Sequence, residues 1–384
     1  MTLRFARFLI LAVLLGPFLP AAPQQAGGKG ASGPEWIAYV GTYTGPKSQG
    51  IYSFRFEAAT GKMTPIALAA PTSNPTFLAV HPNRRYLYAV NEDAAGKVSA
   101  FAIEGGGRLK LLNQVSAKGA GPCHLAIDRD GKWLLIANYD SGSVASFPIK
   151  ADGTLGEAAS FVQHTGHSVD ADRQKEPHAH SVNLSPDNRF VLATDLGLDQ
   201  ILIYRLDPNR GALVPHSPAF AKVAPGSGPR HLVFSKDGKF VYVLNEMFCT
   251  VTVFAYDAAR GSMAEMQTLT TLAGPFKGEK TAAEIALDPS GKFLYASTRG
   301  PDTVALFAVD PAKGTLTAAG RFSTRGKTPR NFAIDPTGSY LLAANQDSDN
   351  IVEFRIDQKT GSLNPTGAVL ANGAPVCIVF TPGH

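Results

Sequence analysis

The chain has 384 residues, of which 44% are hydrophobic, and a formal net charge of +5, which falls to +3 without Arg4 and Arg7. So small an excess, with no run of Lys or Arg, argues against nucleic-acid binding. The three cysteines, Cys123, Cys249 and Cys377, lie far apart with no CxxC pair, so we expect small buried side chains and no disulfide framework.

Residues 1–26 are typical of a secretory signal peptide. Two arginines precede an apolar run from Phe8 to Leu19, and Ala21-Ala22 offers a small-residue cleavage site. The run is short for a membrane span, and an uncleaved anchor is the alternative. We therefore expect an exported protein, periplasmic or extracellular, with no membrane attachment after cleavage and with a flexible lead-in over residues 27–35.

A strand–turn–strand unit recurs along the rest of the chain. In the copy at residues 228–246, an apolar run follows Gly-Pro, an Asp-Gly turn comes next, and an alternating run ends in Asn-Glu. Six copies align on the fifth residue after the aromatic that follows the turn, at intervals of 47 to 57 residues. These anchor residues are Asn91, Asn138, Asp195, Asn245, Thr298 and Asn345. Periods near 50 residues that consist of short strands are typical of propeller blades.

The two ends of the chain supply a seventh copy. Two more strand-like runs follow each hairpin, which gives four antiparallel strands per copy. Thr42 is an anchor without a hairpin start before it, and residues 375–380 match a hairpin start without the rest. Pairing of the two ends would close the ring and remove open sheet edges. We therefore predict an all-β, seven-bladed propeller over residues 36–384, with six blades or a two-sheet sandwich as alternatives.

The repeat alignment brings polar side chains to one mouth of the central channel. In a four-stranded blade the first strand lines the channel, and its start lies on the same face as the end of the second strand. The side chains that fall there are Glu92, His124, His180, Arg230, His231, Glu246, Glu284, Arg299, Arg330, Asn331 and the anchors Asn91, Asn138, Asn245 and Asn345. Random surface polarity would not concentrate at equivalent repeat positions.

Structural roles compete with ligand binding at several of these positions. An anchor Asn is often a turn residue whose side chain bonds nearby backbone, and a His in a wet channel, such as His124, is often only solvated. Arg230, Arg299 and Arg330 converge, however, and like charges that converge cost free energy unless an anion compensates them. Guanidinium groups also bind carboxylate or phosphate with two hydrogen bonds. The three arginines therefore predict an anionic ligand.

The longest insertion, residues 164–180, contains four histidines. Their spacing matches no strong zinc motif, and His178 and His180 on one strand would point to opposite faces, so we expect neither a metal nor another cofactor. A loop over the channel mouth that contributes Arg173 or His178 is the favoured interpretation. Gly-x-Ser-x-Gly and a Gly-rich phosphate loop are both missing from the sequence.

Three motifs closely resemble those of the seven-bladed propeller lactonases. They are Arg173-Gln174 with Pro177-His178-Ala179-His180-Ser181, Asp195-Leu196-Gly197-Leu198-Asp199, and Gly228-Pro229-Arg230-His231 with Asn245-Glu246. That family includes propeller-type 6-phosphogluconolactonases and carboxy-muconate lactonizing enzymes, and the resemblance covers residues 36–384. It implies a metal-free site of one His, two Arg and one Glu, which fall on His180, Arg230, Arg299 and Glu246.

The resemblance implies hydrolysis of a small anionic sugar-acid lactone, phosphorylated or not. We expect Arg230 and Arg299 to hold the anion or the oxyanion that forms, and His180 to move the protons with Glu246 as its orienter, or Glu246 to be the base itself. Formation of a lactone from a muconate, or a binding propeller without turnover, are the alternatives. The expected substrate-binding residues are Glu92, His124, Arg173, His178, Asn245, Arg330 and Asn331.

Overall fold

The computed structural model describes residues 35–383. Within this range the chain forms 28 β-strands and two 3₁₀-helices, the latter at Gly105–Gly107 and Gln346–Ser348. The strands, in chain order, are β1 Glu35–Thr42, β2 Gly50–Glu57, β3 Lys62–Pro71, β4 Leu78–Val80, β5 Tyr86–Asn91, β6 Lys97–Ile103, β7 Leu109–Ser116, β8 Pro122–Ile127, β9 Trp133–Asn138, β10 Ser143–Pro148, β11 Ser160–Gln163, β12 Ala179–Leu184, β13 Phe190–Asp195, β14 Gln200–Leu206, β15 Leu213–Lys222, β16 Pro229–Phe234, β17 Phe240–Asn245, β18 Thr250–Asp257, β19 Ser262–Thr270, β20 Thr281–Leu287, β21 Phe293–Arg299, β22 Thr303–Val309, β23 Leu316–Ser323, β24 Pro329–Ile334, β25 Tyr340–Asn345, β26 Asn350–Ile356, β27 Leu363–Ala371 and β28 Pro375–Pro382.

The predicted signal peptide, residues 1–26, lies outside the described residues, as does most of the predicted lead-in over 27–35. The strand β1 begins at Glu35, one residue before the predicted start of the propeller. In the part of the chain that the structure describes, no helix has the length and apolar character needed to cross a membrane.

The strands form seven antiparallel sheets of four strands each, and each sheet is one blade. Six blades consist of four consecutive strands, from β4–β7 to β24–β27. The seventh has the order β28-β1-β2-β3, with Trp36 opposite Pro382 and Gly41 opposite Cys377. The two ends of the chain therefore close the ring, as predicted, and the six-bladed and sandwich alternatives are wrong.

The apolar core lies between neighbouring blades. The second strands β5, β9, β13, β17 and β25 are buried along their whole length, because each has a neighbouring blade on either face. The three cysteines are buried, as predicted, and are free thiols.

The aromatic residue that marks each repeat packs against a glycine of the next blade. Gly153, at φ +85°, would place a Cβ only 2.3 Å from Cε1 of Tyr86, and a Cβ on Gly211 would lie 2.3 Å from Cε3 of Trp133. The equivalent pairs are Gly261–Phe190, Gly314–Phe240, Gly361–Phe293 and Gly61–Tyr340. Because each of these glycines has a positive φ and no room for a side chain, the aromatic and the glycine form one inter-blade contact that recurs around the ring.

The channel strands start with β-bulges. The pairing of β12 with β13 skips His180, that of β16 with β17 skips Arg230, and that of β24 with β25 skips Arg330. A similar register shift leaves Cys123 out of the ladder in β8, and the shift in β20 leaves out both Ala283 and Glu284. A bulge removes one residue from the ladder and re-aims its side chain. The bulges therefore aim Cys123, His180, Arg230 and Arg330 toward the channel mouth.

Candidate active site

A cavity of about 400 Å³ opens where the channel strands start and the second strands end. Its lining residues are Glu92, Cys123, Tyr139, Asp140, Arg173, His180, Glu246, Thr281, Arg299 and Arg330. Three of the four residues implied by the resemblance line it, and the fourth, Arg230, is buried behind Glu246. Sequence reasoning gave Cys123 and Tyr139 no role, although they hold the same repeat positions as Arg230 and Glu246.

Glu246 is the centre of an arginine cluster. Arg173 donates from Nη2 to Oε1 at 2.9 Å, while Nε of Arg230 and Nη2 of Arg299 each lie 3.1 Å from Oε2. Burial by itself raises the pKa of this carboxyl, but the three arginines together lower the pKa to about 2. Glu246 is therefore a carboxylate at neutral pH, which fits it to bind cations and makes it a poor proton acceptor.

His180 lies beside this carboxylate and is almost fully buried. Its Nε2 is 3.8 Å from Oε2 of Glu246, and its Nδ1 is 3.8 Å from Sγ of Cys123. Burial, followed by the charge of Arg230, lowers the pKa of His180 well below its usual value. The imidazole is therefore neutral at pH 7 and has a nitrogen that can accept a proton.

The opposite side of the cavity carries Arg330 and Glu92. The guanidinium of Arg330 lies over the Tyr43 ring, 5.2 Å from its centroid, and its Nη2 is 3.9 Å from Oε1 of Glu92. Glu92 already accepts hydrogen bonds from Tyr43 at 2.7 Å and from Thr76 at 2.5 Å. Arg330 thus faces the cavity with its charge only partly compensated.

A second polar network lies deeper in the channel. Oε1 of Glu284 is 3.1 Å from Nδ1 of His231, and Asn331 donates to Oε2 at 2.6 Å. The His124 ring lies 5.1 Å from His231 and 4.2 Å from Phe77. His124 and Asn331 therefore contact this network and do not line the cavity. Within residues 35–383, no group of three or more His, Cys, Asp or Glu side chains is arranged to hold a metal ion.

The anchor asparagines bond to their own blades and to the segments that precede those blades. The amide of Asn245 is buried and donates to Thr250 at 3.0 Å and to Thr252 at 2.9 Å. Asn138 and Asn345 donate in the same way to the strand that follows and to the preceding loop. These contacts correspond to the structural alternative given for the anchor residues, in which the side chain bonds to nearby groups of the protein.

The insertion that precedes β12 brings Arg173 to Glu246. Besides the bond to Glu246, Nη2 of Arg173 donates to the Tyr139 hydroxyl at 3.0 Å. His178 instead stacks on the Tyr139 ring at 4.5 Å, and its Nδ1 lies 3.0 Å from the carbonyl oxygen of that residue. His178 and His180 do not alternate along one strand as the expectation assumed, and both rings contact Tyr139. The reason is that His178 precedes the strand and His180 is bulged.

Two aspartates fasten this insertion. Asp195 lies 2.6 Å from Nδ1 of His164 and accepts the backbone N–H of His178 at 2.8 Å, so it joins the two ends of the loop. Asp199 accepts hydrogen bonds from Ser168 at 2.5 Å and from the backbone of Gly226 and Gly228 at 2.7 Å. One carboxylate therefore connects the loop that carries Arg173 to the segment that leads into Arg230.

We expect Asp199→Asn to lower kcat/KM about tenfold, mainly through a higher KM. An amide cannot accept all three bonds at full strength, and hydrogen bonds to a charged group contribute about 1.5–3 kcal/mol. Steady-state kinetics would measure the effect. Asp187→Asn, which alters a turn of the same blade that bonds Ser185 and Arg189, is the matched control. Equal kinetic losses in both variants would contradict a positioning role for Asp199.

Comparison with known proteins gives a consistent set of relatives. The chain matches the family model described as "Lactonase, 7-bladed beta-propeller" over residues 37–380. It is 35% identical to the 6-phosphogluconolactonase of Bacillus subtilis over 298 residues. The aligned region covers 77% of this chain and 84% of that protein. It is 37% identical over 301 residues to the 6-phosphogluconolactonase of Formosa agariphila, with 76% and 84% coverage.

A solved structure of a relative has the same fold as this chain. The periplasmic gluconolactonase of Pseudomonas aeruginosa superposes with a TM-score of 0.87 at 36% identity, over 91% of this chain and 100% of that one. The names of these relatives agree on a lactone and differ on whether the lactone carries a phosphate.

Proposed function

The chain belongs to the seven-bladed β-propeller lactonase family, and from that membership we propose that it hydrolyses the ring ester of a small, anionic sugar-acid lactone. The observation that carries the proposal is the neutral His180 beside a carboxylate that binds three arginines. One cavity therefore contains a proton acceptor, His180, next to a cluster of positively charged guanidinium groups. Ester hydrolysis needs both, because water must lose a proton while the carbonyl oxygen gains negative charge.

The field at Arg230 supports stabilisation of an anion. Burial, together with the charges of Arg299 and Arg330, lowers the pKa of Arg230 to about 10, even though Glu246 is beside it. The cavity lining holds three arginines and three carboxyl groups, Glu92, Asp140 and Glu246, so the buried Arg230 behind Glu246 is the fourth guanidinium and adds positive charge to the site. A negative oxygen that forms beside Arg299, with the charge of the buried Arg230 behind it, would relieve that excess, so it is stabilised most in the transition state.

The reaction then proceeds in two steps. Water attacks the lactone carbonyl carbon as Nε2 of His180 takes one of its protons, and the carbonyl oxygen becomes an oxyanion beside Arg299, with the charge of the buried Arg230 behind it. The tetrahedral intermediate collapses with cleavage of the ring C–O bond, and the His180 imidazolium returns the proton to the departing alkoxide. The product is the open hydroxy acid. Glu246 remains ionised throughout, keeps the arginines in place and stabilises the imidazolium.

A lactone panel tests the proposal. The purified protein would be assayed on glucono-lactone and 6-phosphogluconolactone against a baseline without enzyme, because these lactones also hydrolyse spontaneously. We expect acid release well above the baseline with at least one of them. Thermal stabilisation by the lactones without any acceleration would contradict hydrolysis and favour a binding propeller. Production of a lactone from a muconate would favour the lactone-forming reaction.

We also propose that the protein is exported. The basis is the signal-peptide pattern in residues 1–26 together with a periplasmic relative. Cell fractionation of a tagged chain would test this, and recovery in the cytoplasm with an intact N-terminus would contradict it.

A further inference from the structure

We infer that Cys123 is a positioning residue that keeps the hydrogen of the neutral His180 ring on Nδ1, so that Nε2 is free to accept a proton from water. The inference rests on the proposed lactone hydrolysis and specifies how the proton acceptor of that reaction is held ready. Cys123 is a buried free thiol that lines the same cavity as His180.

Two bulges bring the thiol and the imidazole together. Cys123 is left out of the β8–β9 ladder and His180 out of the β12–β13 ladder, at equivalent positions of neighbouring blades. Sγ of Cys123 lies 3.4 Å from the carbonyl oxygen of His180 and 3.7 Å from that of Ala179. It also lies 3.8 Å from Nδ1 of His180. One sulfur atom therefore contacts both the backbone and the ring of the proposed proton acceptor.

These contacts decide where the hydrogens lie. A carbonyl oxygen can only accept a hydrogen bond, whereas a thiol has one hydrogen to donate and a sulfur atom that can accept. Burial, followed by the charge of Glu92, raises the pKa of Cys123 well above its usual value, so the thiol keeps its hydrogen at neutral pH. Because the carbonyl oxygens are nearer than Nδ1, they take that hydrogen. The sulfur can then only accept from Nδ1, which must carry the ring hydrogen.

The carboxylate beside the ring does not favour the other tautomer strongly. Nε2 of His180 is 3.8 Å from Oε2 of Glu246, which is beyond the ~2.7–3.2 Å of an N–H···O bond. The same oxygen lies 3.1 Å from Nε of Arg230 and 3.1 Å from Nη2 of Arg299. A hydrogen on Nε2 would therefore gain little from a carboxylate whose charge the arginines already compensate. The lone pair of Nε2 stays available to water, since the bond that the other ring nitrogen makes sets the tautomer.

The position of the ring hydrogen can be measured directly by NMR of protein labelled with nitrogen-15 in its histidines. The nitrogen of a neutral imidazole that carries the hydrogen has a chemical shift clearly different from that of the bare nitrogen. The His180 signals are assigned by their loss in His180→Ala. We expect the hydrogen on Nδ1 in the wild type and a shift toward Nε2 in Cys123→Ala. Cys123→Ser should retain the wild-type tautomer, because a hydroxyl also donates and accepts.

The kinetics of lactone hydrolysis should follow the tautomer. We expect Cys123→Ala to lower kcat about threefold to tenfold, as for the loss of one hydrogen bond to a weak acceptor, and to change KM less than about twofold. Cys123→Ser should recover most of the lost kcat. The matched control is Cys377→Ala, which removes another buried thiol from a channel strand, at a position outside the cavity lining. Sγ of Cys377 accepts the backbone N–H of Leu78 at 3.4 Å, and the control should keep the wild-type kcat.

Two results would overturn the inference: a wild-type His180 with its hydrogen on Nε2, or a Cys123→Ala variant in which the tautomer does not change. A loss of kcat without a change of tautomer belongs to the second case, because lost packing alone would produce it. Failure of the proposed function is a separate outcome, in which the wild-type protein hydrolyses no lactone. The NMR measurement then decides alone: a hydrogen that moves in Cys123→Ala and stays in Cys377→Ala supports the inference.

Discussion

Replacement of His180 with alanine is expected to lower kcat for lactone hydrolysis by a factor of about 10²–10⁴, the range that a positioned general acid–base group contributes. Within the cavity lining, His180 is the one neutral imidazole that faces the ionised Glu246. The loss should fall on kcat, since alanine leaves the arginines in place. His216→Ala, a half-buried histidine outside the cavity that is bonded to the Arg260 carbonyl oxygen, is the control and should retain full activity.

The same replacement should remove the acid limb of the pH profile. The proton acceptor must be neutral, and burial lowers the pKa of His180 well below 6.5. Raising the pH through neutrality should therefore leave kcat/KM unchanged. Activity should be lost only as the pH falls through that lowered pKa. Values of kcat/KM measured from pH 4 to 8 would check this. A limb with its midpoint at or above 6.5, or one that persists in His180→Ala, would contradict the assignment of His180.

Glu246→Gln is expected to damage both activity and stability. Without the carboxylate, Arg173, Arg230 and Arg299 face one another with no anion between them. Removal of one partner from a buried ionic cluster costs about 3–5 kcal/mol of unfolding free energy. We also expect kcat to fall by about 10²–10³, since the arginines would no longer be held where the oxyanion forms. Steady-state kinetics and denaturant unfolding would measure the two losses.

Anions provide the control for this second prediction. If charge repulsion causes the instability, phosphate should restore part of the lost stability in Glu246→Gln and do so more than in the wild type. Glu265→Gln, an exposed change on β19 of the same blade, should have no effect on either property. A Glu246→Gln variant with wild-type stability and no response to phosphate would contradict the role of Glu246 as the compensating charge.

The fold was predictable because each blade repeats one physical contact. An aromatic such as Tyr86 needs the space that Gly153 leaves in the next blade, so both residues recur with the period of the ring. Ring closure could be predicted from residues 375–380 for a similar reason, since they match the channel strand that the N-terminal copy lacks. Both signals follow from packing between neighbours, which sequence periodicity records directly.

The candidate site was predictable by position and less so by contact. Repeat alignment brought His180, Glu246 and Arg299 to one mouth, where they line one cavity. It did not predict that Asn245 turns its amide into its own blade, or that Asn331 bonds to Glu284. Alignment assigns a residue to the end of a strand, whereas bulges and side-chain bonds decide which way it points. The alignment also could not predict that Arg173, and not His178, contacts Glu246. Both residues lie in a loop that has no counterpart in the other repeats.

The pairing of β28 with β1 also sets an order of events during synthesis. Residues 35–71 leave the ribosome before the rest of the propeller, yet their blade has no innermost strand until residues 375–382 have been made. The first blade to be synthesised is therefore the last to be completed. Until then β1 presents an open edge on which another chain could pair, so a chain that stops short of Pro375 should aggregate even though six of its blades are intact in sequence.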